Sequence, residues 1–323
     1  MTTIQTAVII WLLSCPVGSA AFFEPLVLEN RGVGMAGKSI NLFLMDGKPT
    51  GRIKGTLANW TGLAYKIPRT KLEQARSIPF LQQSGVYFLF GISNDTGDPA
   101  VYIGQAGVRK NGQGILNRWE EHKRDNSKDW WTEAEALTTS NNSFGPTEIS
   151  YLENRFRNMA VSADRYLVMN GVDPTLGNLT EEKESEMEEY ISYALLVLGA
   201  LGYKVFEPLI GSQEKPTMSE DPEDEPLLFF RSKRAEASAQ RTAEGFVVRA
   251  GSRISLEMKR SVPENAVRLR KRYADSISPN GVVSKNLLFA SPSAAASFVG
   301  GSSLSGNVVW KTADGKNIKE LDA

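Results

Sequence analysis

Tyr87, Tyr102, Arg118, His122 and Glu153 follow one another through the middle of the chain: two phenols, a guanidinium, an imidazole and a carboxylate. Together they offer groups that carry protons and one permanent cation that can face an anion. Other chemistries are excluded. The 323-residue sequence has one cysteine, Cys15, and one histidine, His122, so it builds no histidine-rich or cysteine-based zinc site and, with Cys15 so remote, no Cys–His nucleophilic pair. It carries no phosphate-loop or dinucleotide-binding glycine pattern. Taken singly, each residue has an ordinary explanation. The tyrosines pack across a hairpin, Arg118 pairs with Glu121 or Asp125, His122 is a polar surface residue, and Glu153 pairs with Arg157 one turn on, worth only ~0.3–0.5 kcal/mol. Their occurrence in one ordered set favours a functional reading.

The elements that must position them are legible. Gly85 to Phe90 and Pro99 to Ile103 read as β-strands separated by a Gly/Asn/Asp-rich loop, an antiparallel hairpin. Alternation puts Val86, Phe88 and Phe90 on one face and Tyr87 and Leu89 on the other, with Tyr102 opposed to Val101 and Ile103, so both tyrosines project from the same side. Ile115 to Arg124 has helical periodicity, with Ile115, Leu116 and Trp119 as its apolar stripe and Arg118 and His122 four apart at its edge. A second helix spans Thr147 to Ala160. On it Glu153 falls beside Ile149 and Phe156, partly shielded yet able to reach solvent.

Gly85-Val86-Tyr87, Tyr102-Ile103-Gly104, Arg118-x-x-x-His122 and Tyr151-Leu152-Glu153-Asn154-Arg155 resemble, in order and spacing, the GIY-YIG nuclease family over roughly residues 84–160. Val86 for isoleucine is a β-branched exchange that leaves the strand intact. Asn59-Trp60-Thr61-Gly62, Phe246 to Ser252 and Ser291 to Ala296 are similar to bacterial members bearing an uncharacterised small C-terminal domain. The fold this implies is α+β: a small antiparallel sheet flanked by helices, followed by a second small α+β domain.

The resemblance implies hydrolysis of DNA phosphodiester bonds with one divalent metal, Mg2+ or Mn2+. Glu153 would be the sole protein ligand, which suits a hard ion that keeps its waters. Arg118 would neutralise the phosphoryl oxygens through its planar fork. Tyr87, or failing it Tyr102, would help deprotonate the attacking water, and since an ordinary phenol near pKa ~10 is a poor base, nearby cations must lower it. The other tyrosine would hydrogen-bond the phosphate or a hydrating water. His122 would be a proton carrier or a phosphate contact. The alternatives are a nucleic-acid-binding module without turnover, or a scaffold that meets protein partners through its acidic region.

Charge and composition set the surrounding plan. Hydrophobic residues at 41% and charged residues at 23% describe a globular chain with real cores. The formal net charge of zero hides a partition: +6 over 35–80, −11 over 161–230 and +8 over 231–323. Two basic segments can hold a polyanion while the acidic stretch favours solubility; pairing between segments is the alternative. The expected divisions are an atypical extension at 1–34, a β-rich segment at 35–83, the nuclease-like core at 84–165, a helical extension at 166–210, an acidic linker at 211–240 and a basic domain at 241–323. Within the last, Arg268, Arg270, Lys271 and Arg272 form a candidate DNA-facing helix, and Val308 to Lys311 a final strand. In the extension, the apolar run Ala7 to Leu13 is far below the roughly 18 residues of a membrane span, and no Lys or Arg precedes Arg31. Export is therefore disfavoured, Met35 is the preferred start, and a cytoplasmic protein without a membrane partner is expected.

Overall fold

The computed structural model describes residues 37–109, 112–172, 174–210 and 225–323. The extension at 1–34 with Cys15, and most of the acidic linker, lie outside the described residues. The chain separates into two units, Met1–Lys38 and Ser39–Ala323.

The larger unit begins with three strands, β1 (Ile40–Leu44), β2 (Ile53–Leu57) and β3 (Gly62–Pro68), and a short helix α1 (Leu72–Ala75). The hairpin follows as β4 (Gly85–Ile92) and β5 (Pro99–Ala106), then helix α2 (Ile115–Arg124), β6 (Trp131–Thr139) and helix α3 (Pro146–Ala163). A two-residue strand β7 (Leu167–Val168) and helix α4 (Glu181–Ala200) complete it. All seven strands form one sheet in the order β1-β2-β3-β6-β4-β5-β7, antiparallel except for the β5–β7 pair. The segment expected to stand apart at 35–83 thus supplies three strands of the same sheet as the hairpin, and the sheet is larger than expected and mixed.

Period-two alternation gives this sheet a core on each face. Val86, Phe88, Phe90, Val101 and Ile103 pack with Leu152 and Phe156 of α3 and Ile191, Ala194 and Leu198 of α4. Tyr87, Leu89 and Ala100 pack on the opposite face with Leu72 of α1 and Ile115, Leu116 and Trp119 of α2. Thr180 caps α4, accepting from the Lys183 N–H, and Glu181, Glu182 and Glu184 occupy its first turn, where the helix dipole favours negative charge.

Residues 228–323 form a second, antiparallel sheet in the order β11-β10-β9-β8. Its strands are β8 (Leu228–Arg231), β9 (Glu236–Thr242), β10 (Gly245–Val248) and, after helix α5 (Glu264–Arg272), β11 (Leu287–Phe289). Helices α6 (Pro292–Gly300), α7 (Gly306–Val309) and α8 (Ile318–Leu321) follow. Trp310, Phe246, Phe289 and Phe298 fill its core. Two expectations are corrected. This domain starts at β8, so residues 228–240 are sheet rather than linker. Val308 and Val309 lie in a helical turn, because Ser305 and Gly306 begin that turn and the Trp310 indole donates to the Pro292 carbonyl. Arg165, just before β7, forms a half-buried bidentate ion pair with Glu244 across the junction of the two sheets.

Candidate active site

In the β4–β5 register Tyr87 lies opposite Gly104 and Leu89 opposite Tyr102, so the two tyrosines are diagonal neighbours on the α2 side, ring centroids 6.3 Å apart. Gly104 is required there: a Cβ on it would fall 2.5 Å from Cζ of Tyr87. The hydrogen-bonded ladder along β5 changes at Ala100 and Val101, the two residues paired with β7. Beyond them the Asn170 side chain takes the place of a strand, accepting from the Ile103 N–H and donating to its carbonyl.

Helix α2 places its two polar members differently from each other. Its buried residues are Ile115, Leu116, Trp119 and His122, so the imidazole belongs to the apolar stripe rather than its edge, and only 5% of His122 is exposed. His122 Nε2 lies 2.7 Å from the Tyr87 hydroxyl, and its ring packs 5.1 Å from the Tyr102 centroid. Nδ1 lies 3.1 Å from Nζ of Lys128, which sits 4.0 Å over the Tyr102 ring. Arg118 remains accessible and donates to Glu121 at 2.6 Å, and Arg109 reaches the other oxygen of the same carboxylate at 2.6 Å.

Glu153 arrives from the other face of the sheet. Strand parity puts Gln105 on the α3 side, and both its side chain and its backbone hydrogen-bond the Glu153 carboxylate. Glu153 and Arg118 feel each other, and Glu153 also acts on both tyrosines. All five expected residues therefore share one site, which straddles the sheet at the far end of β5.

The titrations follow from burial and neighbours. Desolvation pushes the Tyr87 hydroxyl well above its ordinary value, and the Arg118 guanidinium, which pulls it down, does not compensate. The expectation that neighbouring cations lower this phenol is thus corrected: their pull is real but burial outweighs it. Tyr102 is raised by desolvation and then by Glu153. Desolvation, helped by Lys128 and Arg118, holds His122 down at about 4, so its ring is neutral at pH 7. Arg109 and Arg118 hold Glu121 down at about 2. Burial raises Glu153 despite its bonds from Gln105.

Among the described residues no group of three or more His, Cys, Asp or Glu side chains is arranged around a metal position. The donor set here is one partly desolvated carboxylate, Glu153, with the Gln105 amide and two hydroxyls nearby. A carboxylate whose charge is penalised by burial gains from a cation, and a single carboxylate suits a hard ion that retains most of its hydration.

Sequence reasoning missed Lys128, Arg109 and Gln105. Lys128 and Arg109 lie in turns outside any motif, and Glu121 was visible only as an ordinary helix pair of Arg118. Gln105 could have been found from strand parity. The basic helix α5 does not present a uniform cationic face. Arg270 is turned inward, its guanidinium donating to the Phe298 carbonyl and lying over the Phe298 ring, and desolvation lowers its pKa to about 10. Arg272 faces Asp98 of the β4–β5 loop at 3.6 Å. Arg268 and Lys271 are exposed. Of the expected quartet, Arg270 is therefore engaged within its own domain by Phe298.

Residues 228–322 match the profile of a domain of unknown function (DUF4357), which coincides with the second sheet and its helices. Comparison with curated proteins and with solved structures returned no match. Among the described residues no helix is long and apolar enough to cross a membrane.

Proposed function

We propose that this chain is a divalent-metal-dependent endonuclease that hydrolyses DNA phosphodiester bonds in the cytoplasm through a GIY-YIG-type site with Glu153 as its one protein ligand. The observation that carries the reading is the convergence, at one end of β5, of the buried Tyr87–His122 pair with Arg118 and Glu153, contributed by three different elements, β4, α2 and α3. In this reading the cation, Mg2+ or Mn2+, supplies Lewis-acid polarisation of the phosphate and charge stabilisation on the leaving oxygen.

The chain's own groups divide the remaining work. Arg118 is accessible and always charged, and its planar fork suits two phosphoryl oxygens once it exchanges Glu121 for them. Tyr87 and Tyr102 line the approach to the phosphorus and orient the attacking water through their hydroxyls. Tyr87 accepts that water's proton only if its phenol is brought down from the raised value, which a second positive charge beside it would do. The exposed Arg268 and Lys271 contribute backbone contacts to the duplex.

Nicking of supercoiled plasmid with Mg2+ or Mn2+ tests this reading. The wild type is expected to cleave, and chelator or Glu153→Ala to reduce cleavage by about a hundredfold or more. Cleavage that survives both overturns it. A second reading, a nucleic-acid-binding module of the same fold without turnover, is favoured by the raised Tyr87 phenol. It predicts salt-dependent DNA binding indifferent to Glu153→Ala and no cleavage of any DNA form.

A further inference from the structure

Lys128 ends a single 3-10 turn, Asn126–Lys128, directly after α2. Asp125 anchors that turn by accepting from the Ser127 backbone N–H at 3.0 Å and from its hydroxyl at 2.7 Å. The turn brings Nζ to 3.1 Å from His122 Nδ1, half-buried against the Tyr102 ring. An ammonium group has three N–H bonds and no lone pair, so it only donates. The nitrogen facing it must then be the bare one. A neutral imidazole carries one N–H, and with Nδ1 bare that hydrogen sits on Nε2, 2.7 Å from the Tyr87 oxygen.

We propose that Lys128 fixes His122 in the Nε2–H tautomer, so that the imidazole donates to the Tyr87 oxygen and Lys128 acts as a positioning residue for this phenol. The inference rests on the nuclease reading for its purpose, though not for its geometry. It removes His122 from the list of proton acceptors: Nε2 already holds a hydrogen, and Nδ1, the nitrogen with a lone pair, is covered by a cation. It also turns the Tyr87 hydroxyl. His122 donates to this oxygen and the Arg118 guanidinium lies near it, so the phenolic hydrogen is directed away from both, toward the Tyr102 side. A donor and a neighbouring cation at one oxygen favour its anionic form over the neutral one. Lys128 thus acts on Tyr87 from two bonds away, without touching it.

His122 is the only histidine in the sequence, so its two ring nitrogens can be observed by heteronuclear NMR of the full chain at pH 7 without assignment ambiguity. The wild type is expected to show a protonated Nε2 and a bare Nδ1. Lys128→Met removes the donor at similar length and is expected to shift the population toward Nδ1–H, and Lys128→Arg to restore the wild-type pattern. In the nicking assay Lys128→Met is expected to lower kcat by about tenfold with little change in KM, the loss expected for one hydrogen bond of alignment. A proton on Nδ1 in the wild type, or a tautomer unmoved by Lys128→Met, overturns the assignment. A clean tautomer change with unaltered cleavage overturns the positioning role. A wild type that nicks no DNA removes the nuclease reading instead, and the wild-type spectrum by itself still decides the Lys128–His122 assignment, even if a variant fails to fold.

Discussion

Neutral, buried His122 makes a specific demand on pH. An exposed imidazole in the unfolded chain titrates near ~6.5, whereas in the folded chain burial holds His122 at about 4. Between those values the unfolded state binds more protons, so the slope of unfolding free energy against pH is positive. The stability this group contributes is complete above about pH 6.5 and is lost as pH falls toward about 4. Integrating a single site with these two values from pH 7 down to pH 5 gives a loss of about 2 kcal/mol. Because the sequence has no other histidine, no second imidazole contributes to this change. Urea unfolding of the wild type and of His122→Gln at pH 7, 6 and 5 measures it, since carboxylates that titrate in the same range remain in both proteins and cancel in the difference. The wild type is expected to lose about 2 kcal/mol more than the variant over this range. A difference curve flat to within about 0.5 kcal/mol, below the net worth of one hydrogen bond, would refute the picture of a desolvated imidazole held between Lys128 and Tyr87.

Further outcomes follow from other groups. Glu121 occupies both Arg109 and Arg118, so Glu121→Gln is expected to tighten DNA binding by up to about fivefold at fixed salt, the scale of releasing an exposed ion pair; weaker binding would mean the carboxylate only orients Arg118. Glu135 of β6 is fully buried with neither carboxylate oxygen hydrogen-bonded, and desolvation pushes its pKa well above the ordinary range. Such a group stabilises less as pH rises from the unfolded carboxyl value toward the folded one, so Glu135→Met should raise stability at pH 8 by ~1–3 kcal/mol and flatten that descending limb in urea unfolding. Arg270→Ala should lower the thermal stability of the 228–323 domain without altering the salt slope of DNA binding, because its guanidinium is bonded to Phe298. Lys271→Ala should do the reverse, reducing that slope by about one.

The hairpin, α2, α3 and the strand faces and helix turns that carry the five candidate residues were legible because their signals are local, although His122 lies in the apolar stripe of α2 rather than at its edge. Alternation over β4 and β5 dictates which side the tyrosines take, and the 3.6-residue period places Glu153 on its helix rim. Central strand β6 was not legible. Trp131 to Thr139 interleaves Glu133, Glu135, Ala134 and Ala136, residue types of low strand preference, and it is strand because β3 and β4 pair with both its edges. β8 and β9 were not legible either: they adjoin the acidic stretch, and Ala237 and Ala239 of β9 are residue types of low strand preference.

The amino-acid order alone determined which groups exist, which of them share a strand face or a helix turn, and that a single imidazole and no thiol stand among them. It could not determine that the site wraps the end of a strand, with tyrosines and imidazole on one face of the sheet and Gln105 and Glu153 on the other. Nor could it tell that a lysine six residues beyond His122 would reach the back of its ring. Desolvation decided the rest. Whether a phenol is raised, an imidazole neutral or an arginine structural depends on how much protein surrounds it, and that is a property of packing between distant segments rather than of any neighbourhood along the chain.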